Sequence, residues 1–496
     1  MKSGIRSKSG LALDALLLLL LAAAIVRLWL MPLASSFWVD EMATVFVVGH
    51  GAADPSLAVA PQVPNSIYYR LPRAAVALLG SSEVVYRLPS VLAMGIALFL
   101  MARLAARLIH PRSAWFAVFA CLALSGIDYQ AADARPYGLG VAVSAAAVLC
   151  LVRWLDSARW RDGLLFALFA ALLWRVHLIY WPFYAVFAAY AVVRLARGET
   201  RVGWRRAAAV FGLVGMALAP VAVDALALFR DAQAHVIVKP PSLHTFEHAL
   251  RWNVVLICGL GAWLLARLFR WTRPQSPVAG ATLVLILSWW LCQPAALFAF
   301  SWITGNSVFV PRYLFLMLPG VALSAAAAAS RFTPPAAWKG LSALLGLGAL
   351  LYLGQWRQAW PAHEHSDWRA AAREVNRLSL GPETPVICPS PFIEARPPAW
   401  RPDYHLPGFL YCHLPVYPVR GQTRLFPFET SPEAERYAAS LAGNDLSRSS
   451  RFLIYGGAGA VRFWRKWFAA RPEFERWSVR RHEFGDVIVV EFNPPR

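Results

Sequence analysis

Apolar residues along this chain come in blocks of about twenty, separated by short stretches rich in Arg and Pro. An α-helix rises 1.5 Å per residue, so about twenty apolar residues cross about 30 Å of hydrocarbon. The pattern therefore predicts a polytopic α-helical membrane protein with about eleven transmembrane helices, the number being open between about ten and thirteen. The predicted spans are 11–31, 84–108, 113–129, 136–155, 162–178, 180–197, 206–229, 251–269, 279–302, 312–330 and 337–354.

The first apolar block, 11–31, follows Lys2 and Arg6 and has no small-residue cleavage site. It is therefore predicted to be a retained signal anchor that leaves the N-terminus inside. Residues 32–83 then form a long outer loop. Its later part, 67–79, is amphipathic, which is typical of a helix lying at the membrane interface.

From residue 355 onward the chain changes to mixed charge, Pro and short periodic runs. This change predicts a transmembrane domain over 1–354 and a small C-terminal α/β soluble domain over 355–496. The predicted helices of that domain are 367–378 and 462–470, and the predicted strands are 385–388, 452–455 and 487–492.

Charge sets the orientation of the predicted bundle. Hydrophobic residues make up 58% of the chain and charged residues only 15%, which excludes an ordinary soluble protein. The net charge of +20 suggests nucleic acid, but the basic residues lie between apolar blocks instead of forming one patch. Under the positive-inside rule their clusters mark cytoplasmic loops. These clusters are Arg103, Arg107 and Arg112; Arg153, Arg159 and Arg161; Arg194, Arg197, Arg201, Arg205 and Arg206; Arg267, Arg270 and Arg273; and Arg331 with Lys339.

One consistent threading therefore gives a multi-pass membrane protein. Its N-terminus is cytoplasmic and its C-terminal domain is extracytoplasmic. Cys388 and Cys412 both fall in that domain, where an oxidising compartment would allow a disulfide. No cysteine or histidine spacing in the chain is typical of a metal site.

The first candidate for chemistry is Asp40 with Glu41, shortly after the first span and next to Phe37 and Trp38. The aromatic pair places the carboxylates at the membrane interface. The alternative interpretation is a solvated pair, or an N-cap for a helix over 42–49.

Two further candidates lie in predicted outer turns, Asp133-Ala-Arg135-Pro136-Tyr137 and Pro311-Arg312-Tyr313. Ionisable residues at helix mouths are costly to dehydrate, so each is a functional candidate. Their alternatives are a local salt bridge in the first turn and a snorkelling Arg with an interfacial Tyr in the second. His177 breaks an apolar stretch near the same surface and is more often a packed histidine than a catalyst.

Acids and arginines on one outer face suit group transfer from a lipid-linked phosphate. A leaving lipid phosphate needs cationic stabilisation, which Arg supplies in bidentate form. The acceptor hydroxyl or amine needs a general base, and a carboxylate serves.

In their order along the chain, these motifs resemble those of the GT-C superfamily of polyprenyl-phosphate-sugar-dependent glycosyltransferases. The bacterial branch related to protein O-mannosyltransferases and lipid A aminoarabinose transferase is the most similar. The matching stretches are Trp38-Val39-Asp40-Glu41, Gly80-Ser81-Ser82-Glu83, Arg87-Leu88-Pro89-Ser90, Asp133-Ala134-Arg135-Pro136-Tyr137-Gly138-Leu139, Pro311-Arg312-Tyr313-Leu314 and Asp367-Trp368-Arg369.

The resemblance implies inverting transfer of a hexosyl or pentosyl group from a polyprenyl-phosphate-linked donor on the outer face of the membrane. The implied acceptor is a lipid, a glycan or a protein of the cell envelope. The implied location is the bacterial inner (plasma) membrane, with the C-terminal domain in the periplasm. It also implies Asp40 as general base or acceptor-positioning carboxylate, Glu41 as its support, and Asp133 near the reacting centre. The residues implied for donor phosphate or substrate binding are Arg135, Tyr137, Arg312, Tyr313, Arg70 and His177.

One stretch departs from the family. Relatives commonly carry His or Lys before Pro-Pro in the first loop, whereas this chain has Pro-Gln-Val-Pro-Asn over 61–65. Either Arg70 or Arg73 takes over that contact, or donor binding differs, or activity is reduced.

Two other functions are kept as alternatives. A polytopic transporter or flippase would carry ionisable residues deep in mid-helix and paired repeat halves. Asp224 and Pro220 lie within one span, but no internal repeat is visible. A catalytically silent relative would bind polyprenyl lipid without transfer. We expect no cofactor, with a divalent metal at Asp40 and Glu41 kept as an alternative.

Overall fold

The computed structural model describes residues 8–51, 53–54, 66–231, 239–272, 278–395, 400 and 408–495. Lys2, Arg6, Arg273 and the stretch 61–65, which entered the sequence argument, lie outside these residues. The chain forms two compact units. The first is Met1–Leu33, Ser66–Tyr68 and Arg87–Pro361, and the second is Ala34–Asn65, Tyr69–Tyr86 and Ala362–Arg496. The boundary expected at residue 354 stays a prediction.

The described elements are mostly helices, followed by a short sheet. In chain order the α-helices are α1 (Lys8–Ala24), α2 (Val39–His50), α3 (Arg70–Leu79), α4 (Glu83–Leu108), α5 (Ala114–Leu122), α6 (Ser125–Ala131), α7 (Tyr137–Ser157), α8 (Trp160–Val176), α9 (Tyr184–Ala196), α10 (Trp204–Asp231), α11 (Leu243–Ala249), α12 (Trp252–Leu268), α13 (Gly280–Thr304), α14 (Leu318–Ser330), α15 (Trp338–Leu353), α16 (Trp368–Leu378), α17 (His413–Val416), α18 (Pro432–Asn444) and α19 (Ala458–Ala469). The strands are β1 (Pro385–Pro389), β2 (Gln422–Phe426), β3 (Phe452–Gly457), β4 (Ser478–Phe484) and β5 (Val487–Asn493).

The first unit is a bundle of apolar helices. Among the residues that the structure describes, eight helices are long and apolar enough to cross a membrane, or ten if each of two bent pairs is one span. The predicted span over 162–178 is α8, whose 17 residues lie at the lower limit for crossing. The multi-span prediction is therefore confirmed. The expected count of about eleven is reached only if α8 crosses as well.

The span expected over 113–129 is bent. Helices α5 and α6 occupy that stretch and meet at 79°. Leu124 between them has an extended backbone, which ends α5. A Cβ at Gly126 would lie 2.5 Å from the ring of Phe315, so only glycine allows the bend to pack so closely. The stretch over 251–269 is likewise preceded by a bend, with α11 and α12 meeting at 49°.

Ion pairs in the first unit join basic residues from different predicted cytoplasmic loops. Asp156 near the end of α7 binds Arg107 at 2.6 Å and Arg194 at 2.8 Å, although these arginines end α4 and α9. Lys339 at the start of α15 binds Asp14 in α1 at 2.6 Å. Loops that the threading placed on one side therefore contact one another.

A buried arginine ties the first span to the end of the last. The guanidinium of Arg27 donates to four backbone carbonyls that follow α15, those of Gly354, Gln355, Gln358 and Ala359, at 2.6–3.0 Å. These carbonyls follow the helix, so they lie outside its ladder of hydrogen bonds. Arg27 therefore supplies donors that a membrane interior lacks.

The second unit contains a five-stranded sheet with strand order β2-β1-β3-β5-β4. β1 is parallel to β2 and β3, whereas β5 is antiparallel to β3 and β4. The three strands expected from sequence are the inner ones, β1, β3 and β5. The C-terminal α/β domain is therefore confirmed as a fold.

The helices expected over 367–378 and 462–470 are also present, as α16 and α19. The sequence argument missed two strands, β2 and β4, and two helices, the four-residue α17 and the more polar α18. Strands β2 and β4 are the sheet's edges, and β4 is largely exposed, which leaves no alternating apolar pattern to detect. Cys388 and Cys412 are buried and remain thiols in this structure.

Helix α2 from the first outer loop belongs to this same unit. It packs against α17 and the short helical turn Phe409–Tyr411, with the rings of Phe46 and Phe409 6.1 Å apart. Residues just after the first span therefore contact the C-terminal sheet domain directly.

Candidate active site

In the first unit, the candidate residues gather around the turn that joins α6 to α7. Asp133 in this turn is fully buried. The turn is fixed by the backbone N–H of Arg135, which donates to the Asp133 carbonyl at 2.8 Å. The hydroxyl of Ser90 donates to the Arg135 carbonyl at 3.2 Å and lies 3.4 Å from the hydroxyl of Tyr68. The motif around Ser90 therefore supports the turn that carries Asp133 and Arg135.

Three aromatic side chains form the wall beside this turn. Tyr137 opens α7 and stacks on His177, with ring centroids 5.6 Å apart and planes at 25°. Tyr313 lies 6.5 Å from Tyr137 and 5.5 Å from His177. Residues separated by more than 170 positions along the chain thus form one cluster.

His177 owes its place to a break between helices. Its backbone is extended, and its Nδ1 accepts a hydrogen bond from the backbone N–H of Ile179 at 3.2 Å. It therefore caps the short helical turn Leu178–Phe183 that leads into α9. The sequence interpretation of a packed or capped histidine and that of a site residue are both compatible with this geometry.

Two arginines face the aromatic wall. The guanidinium of Arg312 lies over the Tyr313 ring, 5.5 Å from its centroid. Arg135 and Arg312 both lie near enough to His177 to act on it electrostatically. Gln293 in α13 holds the start of the short helical turn Pro311–Met317 by donating to the Tyr313 carbonyl at 2.6 Å. The two cations predicted from separate motifs therefore converge.

The sequence argument did not single out several contributors to this cluster. Phe315 packs 6.1 Å from Tyr137, and Tyr180 packs 5.6 Å from His177. A Cβ at Gly140 would lie 2.5 Å from the Tyr180 ring, so glycine is needed on α7 at that point. Aromatic residues are so frequent in this chain that their type alone carried no signal.

In the second unit, Asp40 and Glu41 lie in the first turn of α2. The Trp38 N–H donates to Glu41 Oε2 at 3.3 Å, and the Trp38 carbonyl accepts from Met42 N–H at 3.1 Å. The helix expected over 42–49 thus begins at Val39, and the residue that caps it is Trp38. Glu41 is fully buried, whereas Asp40 is partly exposed. Glu41 closes the helix end, and Asp40 is the more accessible carboxylate.

Three further polar residues of this unit bear on the site, namely Arg70, Arg73 and His363. Arg70 and Arg73, the cations considered for donor contact, begin α3 and are exposed, so that role stays a prediction. The imidazole of His363 lies within 4.8 Å of the Glu41 carboxylate. An imidazole nitrogen, a group that can bind a divalent metal, therefore lies near Glu41, which the sequence did not reveal. The expectation of no cofactor, with a divalent metal as its alternative, stays a prediction.

Comparison with known proteins identifies a family model and solved structures that this chain resembles. The model of the dolichyl-phosphate-mannose-protein mannosyltransferase family matches residues 68–223. The structure of ArnT from Cupriavidus metallidurans in the apo state is similar, with a TM-score of 0.57 at 12% identity, over 97% of this chain and 98% of that one. The chain has the GT-C fold.

ArnT from Cupriavidus metallidurans bound to undecaprenyl phosphate matches equally well, with a TM-score of 0.56 at 12% identity, over 96% of this chain and 98% of that one. A search of curated proteins by sequence gave no significant match. The expected resemblance to the GT-C superfamily is therefore confirmed. The family match contains Asp133, Arg135, Tyr137 and His177, while Arg312 lies outside it.

Proposed function

We propose that this GT-C chain is an integral membrane glycosyltransferase that takes a sugar from a polyprenyl-phosphate-linked donor. The observation that carries the proposal is the convergence of Arg135 and Arg312 on one aromatic wall beside the buried Asp133. This cluster lies at helix ends in a bundle of apolar helices, where a lipid-linked anion meets the polypeptide. ArnT bound to undecaprenyl phosphate, a structure of similar fold, supports the same class of donor.

The two arginines are proposed to bind the donor phosphate. A guanidinium offers paired N–H donors that match phosphate oxygens, and it keeps its charge at any physiological pH. When the sugar leaves, the polyprenyl phosphate takes up the bonding electrons and an additional negative charge. Cations already positioned at that point stabilise the charge as it develops.

The carboxylates are proposed to handle the acceptor. In an inverting step the acceptor oxygen or nitrogen forms a bond to the anomeric carbon while the bond from that carbon to the phosphate oxygen breaks. Asp40 takes the proton of the acceptor as general base. Asp133, fixed in its turn, is proposed to orient the sugar or the acceptor, and Glu41 to hold the start of α2.

The aromatic wall is proposed to shape the site. The faces of Tyr137, Tyr313 and His177 present apolar surface with polar edges, which suits a sugar ring or the first isoprene units. The sugar, whether hexosyl or pentosyl, and the acceptor, whether lipid, glycan or protein, are left open by this geometry.

The orientation belongs to the same proposal. Arg107 and Arg194 share Asp156, which supports one basic face, and that face is proposed to be cytoplasmic. The N-terminus is then cytoplasmic, and the C-terminal domain is periplasmic in a bacterial inner membrane. The chemistry would take place on the outer side.

The transporter alternative receives less support. It requires ionisable residues facing the interior of the bundle. Asp224 in α10, the acid on which that alternative rested, is exposed at the surface of the helix. A catalytically silent relative that binds lipid would have the same phosphate site. Only a measurement of sugar transfer distinguishes it from an active enzyme.

The donor site is tested by measuring the binding of undecaprenyl phosphate to the full chain in detergent with native mass spectrometry. We expect binding by the wild type and a loss of about 10- to 100-fold in Arg312→Gln, because a hydrogen bond to a charged group contributes about 1.5–3 kcal/mol. Arg175→Gln is the matched control, since Arg175 is a half-buried arginine that donates to the Ala217 carbonyl in the same unit. Equal loss in both variants would contradict the assignment of Arg312.

Transfer is tested by mass analysis of envelope glycolipids and glycans from cells that carry the wild-type chain, Asp40→Asn or no chain. We expect a glycosylated species that is present only with the wild type, while Asp40→Asn still binds undecaprenyl phosphate. Binding without any change in the envelope would favour the silent relative. Full transfer by Asp40→Asn would remove Asp40 as the base.

A further inference from the structure

The short segment Ala34–Phe37, between the first span and α2, is held by the C-terminal domain. Within the second unit, the Ser35 hydroxyl accepts a hydrogen bond from the backbone N–H of His363 at 3.1 Å. The Ser36 hydroxyl accepts one from the backbone N–H of Arg369, also at 3.1 Å. The Phe37 N–H donates to the Tyr417 hydroxyl at 2.9 Å. Consecutive residues are therefore bound by groups more than 300 positions away.

Arg369 and Glu83 are the charged members of this network. Arg369 Nη2 donates to the Ala34 carbonyl at 3.0 Å, and its Nη1 binds Glu83 Oε1 at 2.9 Å. The same Glu83 oxygen accepts the Tyr417 hydroxyl at 3.1 Å. One carboxylate thus joins the arginine that holds Ala34 to the tyrosine that holds Phe37.

Packing reinforces these hydrogen bonds. Phe37 is buried, and its ring makes an edge contact with Tyr86 at 5.7 Å and a tilted contact with Tyr417 at 6.4 Å. The Glu83 side chain is only 18% exposed, so its charge is partly dehydrated. A partly buried, charge-assisted network is stronger than an exposed ion pair.

We propose that Arg369, Glu83 and Tyr417 act as a positioning clamp through which the C-terminal domain sets the start of α2, and with it Asp40, for transfer. The clamp ends at Phe37, three residues before Asp40, and Trp38 between them caps the helix. Its role in transfer rests on the proposed function, whereas its control of the start of α2 does not. The C-terminal domain is then a working part of the site.

The geometry explains why these three side chains act together. Tyr417 can donate its only proton to Glu83 while its oxygen accepts from Phe37, which fixes the direction of both bonds. The planar fork of Arg369 reaches a carboxylate and a carbonyl at once, which a lysine ammonium does less well. Loss of one member leaves the others with unmatched polar groups.

The first test is hydrogen–deuterium exchange of the full chain in nanodiscs, and it needs no substrate. We expect amides of 36–50 to exchange about 10- to 100-fold faster in Arg369→Gln, about 3- to 10-fold faster in Tyr417→Phe, and at an intermediate rate in Arg369→Lys, as the hydrogen bonds of each side chain are lost. Amides of β1, β3 and β5 should keep their wild-type protection. Wild-type exchange at 36–50 in Arg369→Gln would overturn the proposal, as would equal loss of protection in the sheet.

The control is a second ion pair of the same unit. Arg424 binds Asp445 at 2.9 Å, a distance equal to that of Arg369 from Glu83, and connects β2 to the residue after α18, although Asp445 is more exposed than Glu83. Arg424→Gln should leave exchange at 36–50 unchanged. An acceleration there as large as in Arg369→Gln would mean that any lost ion pair loosens α2, and the clamp would be rejected.

The second test measures transfer and separates this inference from the proposed function. Arg369→Gln should lower kcat by at least about tenfold and leave both the KM for donor and undecaprenyl phosphate binding within about twofold, because a positioning residue does not touch the donor. Faster exchange with unchanged kcat would overturn the catalytic role of the clamp. A wild-type chain that transfers no sugar would instead refute the proposed function, and exchange would still decide whether the clamp holds α2.

Discussion

His413 in the C-terminal domain should make the fold sensitive to acid. Its imidazole is fully buried, and it lies 5.1 Å from the Trp368 ring, 5.7 Å from Tyr455 and 6.4 Å from Tyr411. It opens α17, the short helix that packs against α2. Protonation of this ring would place a charge in an aromatic environment directly behind the helix that carries Asp40.

Burial lowers the pKa of His413 from 6.5 to about 3. The folded chain therefore keeps the ring neutral while the unfolded chain binds a proton below pH 6.5, so stability falls as the pH falls from 6.5 towards 3. One pKa unit corresponds to about 1.36 kcal/mol, and pH 5.0 lies about 1.5 units below the unfolded value. The expected loss between pH 7.5 and pH 5.0 is about 2 kcal/mol.

The measurement is thermal unfolding of the full chain in detergent, followed by tryptophan fluorescence, for the wild type and His413→Phe. Phenylalanine keeps the aromatic packing and cannot be protonated. For a unit of this size, a loss of about 2 kcal/mol lowers the melting temperature by roughly 4–8 °C. Between pH 7.5 and pH 5.0 the melting temperature of the wild type should therefore fall by roughly 4–8 °C more than that of His413→Phe. Exposed His365 provides the control, and His365→Gln should follow the wild type.

Equal loss of melting temperature in the wild type and His413→Phe would refute this reasoning. It would mean that the imidazole is already protonated in the fold, or that other groups dominate the acid response. A larger pH response in His413→Phe than in the wild type would reverse the sign and refute it more strongly.

Three further substitutions test the packing of the first unit by its melting temperature. Gly140→Ala should destabilise by about 1–3 kcal/mol, because its Cβ would lie 2.5 Å from the Tyr180 ring, whereas Gly215→Ala on an open helix face should not. Trp29→Phe removes the 2.8 Å hydrogen bond from the indole to Asp128 and should cost about 1–3 kcal/mol, with retained stability refuting a structural role. Arg27→Lys cannot reach four carbonyls at once and should cost at least about 1.5 kcal/mol; an unchanged melt would show that those carbonyls find other partners.

The helical bundle could be predicted because the same sequence pattern, an apolar block followed by a polar loop, recurs along the chain. Every crossing helix needs a long apolar block, and basic loops mark one side. The bend between α5 and α6 could not be predicted, because it depends on Gly126 meeting Phe315, which is almost 190 residues away. A periodic apolar pattern records which residues avoid water and does not record where the helix axis turns.

The candidate site was predictable in its charged members and not in its supports. Asp133, Arg135 and Arg312 stand out because ionisable groups at helix ends are rare in such a chain. Glu83 belongs to a matching stretch, but nothing in the sequence indicates that it pairs with Tyr417, and their hydrogen bond joins positions 334 residues apart. Only three-dimensional contact identifies such a pair.

The arginines shared with the GT-C motifs divide into two groups by what they touch. Arg87 is fully buried and donates to the carbonyls of Pro32 and Leu33 at 3.3 and 2.8 Å, and Arg369 donates to the carbonyl of Ala34, the next residue. Backbone carbonyls that leave a membrane helix lack partners in an apolar setting, so both side chains are committed to the polypeptide. Arg312 lies over the ring of Tyr313, Arg135 lies near His177, and under the proposed function both bind the donor phosphate. If the proposed function is right, the motifs that this chain shares with the GT-C superfamily combine residues that build the site with residues that bind its substrate. We then expect only the second group to differ in proteins that use another donor.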